Sequence, residues 1–291
     1  MPENHDQVFT LGHSPDPDDA FMFYAMAENK IDLRGYRFDH RLEDIQTLNE
    51  RALRGELHIS AISIHAYASV TGKYALLPCG ASMGDGYGPM IIRTRSEANE
   101  ALANNSTMRK FLADKRIAVP GTMTSAFLAL QLFLGKFDYL VVPFDQIFEV
   151  VRSGRADVGL IIHEGQLTYE KSGFEKILDL GHWWKERTGF PLPLGGNVVR
   201  KDIPPHVRKV LSDIIRESID YGLAHREEAV RHSMPYARDM DAKLAGKFIG
   251  MYVNEFTRDY GEVGRNAIRR FLAEAHGEGF INTPVEVEFV G

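Results

Sequence analysis

The feature that most constrains the fold is a short apolar run that ends abruptly in polar residues. Residues 158–162 are Val-Gly-Leu-Ile-Ile, and His163, Glu164 and Gly165 follow at once. Five apolar or small residues in a row predict a strand buried on both faces, which is typical of open α/β sheets. Such sheets bind ligands at the carboxyl ends of their strands. His163 is therefore the first candidate for chemistry, although a histidine there can also serve only to hydrogen-bond its own loop.

Strand and helix signals alternate through the first two thirds of the chain, which favours βα units and a largely parallel sheet. Asp18 or Asp19 is expected to cap the first helix, and Asp44 and Gly55 to begin and end the second. The segment after residue 203 predicts helices almost throughout and no site. Their starts are expected at Pro204-Pro205, Asp241 and Gly261.

Composition excludes several classes of partner. The chain has 291 residues, with 34 Lys and Arg scattered among 40 Asp and Glu and a formal charge of -6, so we expect no nucleic-acid partner. We also expect no membrane association, because no apolar segment reaches the roughly 20 residues of a membrane helix. The first residues lack a secretory signal, and Cys79 is a single cysteine. Both observations favour a cytoplasmic protein without disulfides.

Hydroxyl residues follow two of the predicted strands. Residues 120–125 join a strand to a helix, so the hydroxyls of Thr124 and Ser125 lie at a helix N-terminus, which favours an anion. The same residues can equally be a plain helix cap. Ser63 also ends a strand and opens a helix, which places it on the same ligand-facing side if both lobes are built alike.

Three carboxylates, Asp16, Asp18 and Asp19, crowd the turn after the first strand. They could recruit a hard cation such as Mg²⁺, which prefers oxygen ligands. The prolines of the turn explain the segment structurally as well. We predict no metal site.

Two further segments each have a structural and a functional interpretation. Glycines at every second position from 84 to 88 predict a loop whose backbone can approach a ligand closely. They precede a strand, so they do not form a dinucleotide fingerprint. Trp183 and Trp184 stand before a stretch rich in Pro and Gly, where they either close over a ligand or pack a domain junction.

Several motifs together resemble the 1,4-dihydroxy-6-naphthoate synthase family of the futalosine route to menaquinone, which is related to the chorismate dehydratases. They are residues 43–49 (EDIQTLN), 84–89 (GDGYGP), 161–165 (IIHEG), 168–169 (TY) and the stretch from Trp183-Trp184 to Gly196. The resemblance implies a two-lobed α/β fold of the type 2 periplasmic-binding-protein kind with a hinged central cleft. One lobe would comprise residues 1–94 and 196–291, and the other residues 95–195.

The resemblance also implies a function and a site. The expected reaction converts cyclic dehypoxanthinylfutalosine to 1,4-dihydroxy-6-naphthoate, a cofactor-free carbon-carbon cleavage with His163 as general base. A neutral imidazole near its free pKa of about 6.5 suits proton removal beside a carbonyl. The partner is a small-molecule substrate, and the oligomeric state is left open. The substrate-binding candidates are Ser63, Ala61, Ile62, Thr124, Ser125, Ser14, Asp18 and Gly86.

Departures from the family pattern make the predicted cleft less positive. The first turn has Asp16 and Asp18 where the family commonly has Cys and Asn, and Ala61 and Asp85 stand where it commonly has Lys and Arg. A carboxylated substrate would ordinarily be held by such basic residues. A divergent member with a less anionic substrate, a solute-binding protein of the same fold and a chorismate-dehydratase-like enzyme are therefore the alternatives. Restoring Ala61→Lys together with Asp85→Arg is expected to improve affinity for a carboxylate.

Overall fold

A computed structural model describes residues 7–95, 102, 104–238 and 240–291. The strands are β1 (Val8–His13), β2 (Arg37–Leu42), β3 (Ile59–Ser63), β4 (Tyr74–Leu76), β5 (Ser82–Gly84), β6 (Met90–Thr94), β7 (Arg116–Val119), β8 (Asp138–Val141), β9 (Val158–Ile161), β10 (Phe174–Asp179) and β11 (Leu192–Arg200). The helices are α1 (Pro17–Ala27), α2 (Ile45–Arg54), α3 (Ile64–Tyr67), α4 (Asn105–Ala113), α5 (Ser125–Leu134), α6 (Ile147–Arg152), α7 (Gly165–Thr168), α8 (Leu180–Thr188), α9 (Pro205–Ala224), α10 (Arg226–Ser233), α11 (Ala242–Tyr252), α12 (Glu255–Arg258) and α13 (Gly261–Gly277). Short 3-10 helices lie at Phe144–Gln146 and Met234–Tyr236.

The strands form two mixed sheets. The first has the order β2-β1-β3-β11-β4, with β5 also paired to β11, and the second has the order β10-β6-β9-β7-β8. Within the first sheet β1 runs parallel to β2 and β3, whereas β11 runs antiparallel to its neighbours. The expected parallel pairs are present, but β11 and β6 add antiparallel ones. The prediction of a largely parallel sheet is therefore too simple.

The sheet pairing bears on where the chain passes between the two halves. Strand β6 hydrogen-bonds to β9 and β10, so Met90–Thr94 belongs to the second sheet although the expected boundary places it in the first lobe. The difference arises because the chain leaves the first sheet before the glycine-rich loop and not after β6. Strand β11 lies wholly in the first sheet. The lobe boundaries themselves stay a prediction.

Helix ends follow the local chemistry of the sequence. The Asp44 side chain accepts from the backbone N–H groups of Gln46 and Thr47 at 3.0 and 3.1 Å, and Gly55 ends α2 with φ +74°. The first helix differs from expectation. Its N-cap is Asp16, because Pro17 occupies the first helical position, where a missing N–H has no cost.

The C-terminal helices pack on both faces of the first sheet, since α9 and α10 join the core cluster that contains Val199 of β11 and α13 joins the cluster that contains Val198. Helix α1 is buried on almost all sides, and it packs against α9, α10 and α11. The predicted helix starts are confirmed, since α9 begins at Pro205, Asp241 caps α11 and α13 begins at Gly261. Within the described residues, no helix combines the length and apolar character needed to cross a bilayer.

The paired tryptophans belong to the core. The Trp183 ring lies 5.3 Å from that of Phe133, and the Trp184 ring lies 5.4 Å from that of Phe271, measured between centroids. Both indoles are buried, and α5 and α13 supply the two phenylalanines. The structure therefore supports the interpretation that the two tryptophans pack a domain junction, and not that they close over a ligand.

Candidate active site

A cavity of about 820 Å³, counted with its opening to solvent, lies between strand ends of the first sheet and the start of α5. Seven predicted residues line it: Ser14, Asp18, Ala61, Ile62, Ser63, Thr124 and Ser125. The other lining residues are Asp16, Asp19, Met22, Ile45, Gly80, Ser82, Pro89, Ala126, Ile162, Leu194, Gly195, Gly196, Asn197, Phe248 and Tyr252.

Gly86 is not among the residues that line this cavity. It adopts a φ of +83° in the loop between β5 and β6, so its role there is to permit the turn. The neighbouring Asp85 carboxylate lies 2.6 Å from the Lys185 ammonium of α8, and both side chains are largely exposed. The Asp85 charge is thus paired outside the cavity, and its effect on carboxylate binding stays a prediction.

His163 adjoins the cavity through its neighbour Ile162, but its own side chain is not part of the lining. Its ring lies 5.4 Å from the Phe144 ring and 6.0 Å from the Phe148 ring, measured between centroids. The Nδ1 atom is buried and has no hydrogen-bond partner within the described residues. One nitrogen of the imidazole is thus left without a structural role.

The surroundings of His163 keep its imidazole neutral. Burial and, as the second cause, the positive charge of Arg238 together lower its pKa to about 4, and Asp145 acts in the opposite direction. This pKa lies below the expected value near 6.5, because a protonated ring enclosed by phenylalanines is poorly hydrated. The following residue behaves oppositely: burial raises the pKa of Glu164 to about 7.

Ser63 is oriented by a side chain that sequence reasoning did not single out. The Asn49 amide donates to the Ser63 Oγ at 3.0 Å, and Asn49 Oδ1 accepts from the Ser63 backbone N–H at 2.9 Å. Both groups are buried. The hydroxyl proton of Ser63 remains available to a ligand, because the serine oxygen acts only as an acceptor in this pair.

The hydroxyls at the start of α5 already have partners. Thr124 Oγ1 donates to the Gly121 carbonyl and accepts from the Phe127 N–H, which makes it a helix cap. Ser125 Oγ donates to the Leu194 carbonyl at 2.5 Å and accepts from the His65 N–H at 3.1 Å. An anion at this point would use the N–H groups of the first helical turn, which have no acceptor within the helix.

The acidic turn after β1 also lines the cavity. Ser14 donates its N–H to the Asp19 carboxylate at 2.6 Å and its hydroxyl to Asp16 at 2.7 Å. Burial raises the pKa of Asp16 and Asp18, and that of Asp19 to about 7. No group of three His, Cys, Asp or Glu side chains in the described residues is arranged to hold a metal ion.

The C-terminal helices contribute to the site, so the expectation that they hold no site residue is wrong. Phe248 and Tyr252 of α11 line the cavity, and the Tyr252 hydroxyl donates to the Gln166 side chain of α7. Gln166 in turn donates to the Gly88 carbonyl at 2.8 Å. Sequence patterning could not separate these side chains from an ordinary apolar helix face.

Comparisons with known proteins agree with this architecture. A family model described as menaquinone biosynthesis matches residues 9–277. A 1,4-dihydroxy-6-naphthoate synthase from Thermus thermophilus is 37% identical over 274 residues, covering 94% of this chain and 96% of the relative. A crystal structure of an Archaeoglobus fulgidus protein has 40% identity and a TM-score of 0.87, covering 96% of this chain and all of that one.

A more distant structure identifies the fold. A Candida albicans protein, described as having the generic periplasmic binding protein fold, superposes with a TM-score of 0.72 at 13% identity, covering 98% of this chain and 97% of that one. The expected two-lobed α/β fold is confirmed. With a family model and a relative that both extend over nearly the whole sequence, this chain belongs to the menaquinone biosynthesis family that contains the 1,4-dihydroxy-6-naphthoate synthases.

Proposed function

We propose that this chain is a carbon-carbon lyase that converts cyclic dehypoxanthinylfutalosine to 1,4-dihydroxy-6-naphthoate, with His163 as the general base. Family membership over residues 9–277 is the observation that carries the proposal. The cavity supports it, because polar groups from strand ends and from a helix N-terminus converge on one space.

His163 would remove the proton next to the substrate carbonyl. Its imidazole is neutral in the free protein, and its buried Nδ1 is not committed to a hydrogen bond with the described residues. A base with so low a pKa is weak, but negative charge that the bound substrate brings near the ring would raise the pKa of the imidazole by stabilising its protonated form. Substrate binding would therefore activate the base.

Ser63, Ser14 and Asp18 would hydrogen-bond the polar groups of the substrate, and Ala61 and Ile62 would shape the wall beside them. The N–H groups at the start of α5, beside Thr124 and Ser125, would receive its carboxylate. Gly86 lies outside the cavity and has no part in this proposal.

One observation favours a second candidate, a related reaction on a less anionic substrate. Three aspartates line the cavity, and no Lys, Arg or His of the described chain is among the lining residues. Raised pKa values at Asp16, Asp18 and Asp19 reduce their negative charge near neutral pH but supply no positive charge. A carboxylated substrate would have only the helix N-terminus to hold it.

Incubation of the purified protein with the cyclic futalosine intermediate tests both candidates, with naphthoate detected by absorbance and mass. Turnover supports the first. If the intermediate is neither converted nor bound, a different substrate is required. Binding without conversion would instead indicate a solute-binding protein.

A further inference from the structure

Arg238 lies where three separate segments of the chain meet. It follows the 3-10 helix Met234–Tyr236 in the C-terminal region. Its guanidinium nitrogen Nη1 is 3.5 Å from Asp16 Oδ1 and 3.6 Å from Glu164 Oε1. Asp16 caps α1 beside the first sheet, whereas Glu164 follows β9 of the second sheet. One cation therefore connects the two sides of the cleft.

The same guanidinium also contacts the surroundings of His163. Its Cζ atom lies 4.9 Å from the centre of the Phe144 ring, a cation–π distance, and Phe144 packs against the His163 imidazole. Arg238 thus contacts two neighbours of the histidine. Phe144, in the 3-10 helix, packs against the imidazole, and Glu164 is the next residue in the sequence.

Apart from Arg238, the carboxyl groups of Asp16 and Glu164 have few polar partners. Asp16 Oδ1 and Glu164 Oε2 are buried and accept no hydrogen bond from the described residues. A negative charge makes it harder for a buried acid nearby to ionise, and the charge of Asp16 raises the pKa of Glu164 in this way. Without a cation between them, two acidic groups would face each other across the cleft and repel when ionised.

We propose that Arg238 is a positioning residue, whose guanidinium bridges Asp16 and Glu164 across the cleft and thereby holds the His163 segment against the cavity. This inference rests on the proposed function in one respect, namely that His163 is the base being positioned. The Arg238 side chain is 41% exposed, so the bridge contributes little to folding stability and acts on geometry and local charge.

The charged groups that act on His163 are Arg238 from the C-terminal region and Asp145 from the 3-10 helix beside it, and Arg238 in turn pairs with Asp16 and Glu164. Removal of the Arg238 charge leaves only acidic groups in this set. The imidazole would then take up a proton more readily, and the paired acids would move apart.

The test compares Arg238→Gln, Arg238→Lys and the control Arg231→Gln, an exposed arginine on α10. We expect Arg238→Gln to lower kcat/KM by about ten- to a hundredfold, as is usual for lost positioning. An NMR titration of the His163 ring, assigned with a His163→Asn sample, should show protonation at higher pH than in the wild type. Arg238→Lys should restore part of both effects, and Arg231→Gln should match the wild type with an unchanged unfolding midpoint.

Two results would overturn the proposal. One is a wild-type kcat/KM in Arg238→Gln, and the other is an unchanged His163 titration in that variant, whatever its activity. If the wild-type protein does not convert the cyclic intermediate at all, the proposed function fails. The titration still decides whether Arg238 acts on the histidine.

Discussion

His163 illustrates how a side chain acquires its properties from residues that are distant in the sequence. Phe144 and Phe148 lie 15 to 19 positions earlier, and they set the hydration of the ring. Arg238 lies 75 positions later and sets the local charge. The sequence placed the histidine correctly after β9, but neither the direction of its ring nor its low pKa could be derived from local pattern.

Replacement of His163 by Asn tests the proposed base. We expect kcat to fall by about 10²–10⁴, the usual contribution of a general base, because Asn retains a hydrogen-bonding edge but cannot take the proton. Initial rates with the cyclic intermediate give the comparison. His182→Asn is the matched control, since His182 is exposed on α8. Near wild-type rates in His163→Asn would assign the proton transfer to another group.

Ala61 offers a test of how the cavity holds a carboxylate. Ala61→Lys adds an ammonium to a lining that has no cation in the described residues, and it should tighten binding of 1,4-dihydroxy-6-naphthoate about tenfold through a charge-assisted hydrogen bond. Calorimetry at fixed salt measures this. Asp85→Arg is the control and should leave affinity unchanged, because Asp85 pairs with Lys185 outside the cavity. Equal affinities in all three proteins would show that the carboxylate binds away from Ala61.

At the scale of single elements, α2 is well specified by its own sequence. Asp44 and Gly55 supply both ends, and the motif that follows Asp44 ends at Asn49, whose amide faces Ser63. Local chemistry accounts for the helix. The contact with β3 depends on packing between two elements, and so the role of Asn49 could not be seen in the sequence.

Asn49→Ala should weaken the α2–β3 contact. It leaves the buried Ser63 N–H without its acceptor, which costs about 1–3 kcal/mol of unfolding free energy. It also frees the Ser63 hydroxyl to rotate, so kcat/KM should fall as well. Urea unfolding and initial rates measure the two effects. Glu50→Ala, at the next and exposed position of α2, should change neither. A stable Asn49→Ala variant would mean that water or another group satisfies Ser63.

Strand β11 is the opposite case, because its own sequence does not predict a strand. Pro193 and Gly195-Gly196 are usual strand breakers, so this stretch predicts a hinge. The strand forms because β3, β4 and β5 all pair with it, and its register with β5 shifts between Pro193 and Gly195, where an irregular backbone accommodates both residues. Tertiary pairing overrides the local preference here.

For the whole molecule, buried His13 predicts a pH-dependent stability. Its ring hydrogen-bonds to His40, and burial lowers its pKa from 6.5 to about 3, with the charge of His40 as a further cause. As pH falls below about 6.5, the unfolded chain binds a proton that the folded chain does not. The free energy of unfolding should therefore decrease between pH 6.5 and 3, by at most about 1.4 kcal/mol per pH unit.

Other buried groups change the free energy of unfolding in the opposite direction as the pH falls. Asp19 and Glu164 have pKa values raised to about 7, so in the folded chain they gain protons earlier as the pH falls. Urea unfolding of the wild type at pH 7, 6 and 5 should therefore be compared with that of His13→Gln, because the difference isolates the histidine. The wild type should lose stability relative to the variant as the pH falls. Parallel curves would mean that His13 is protonated in the folded chain.

The position of β11 in the first sheet has a consequence for how the chain is made. A ribosome synthesises from the N-terminus, and every strand of the second sheet has been made once residue 179 has been added. The first sheet still lacks β11, the strand that joins β3 to β4 and β5, and Leu76 also waits for its bridge to Phe289 near the C-terminus. Strand β3 therefore remains without its antiparallel partner until residues 192–200 have been translated. The sheet that opens the sequence is the last to be completed.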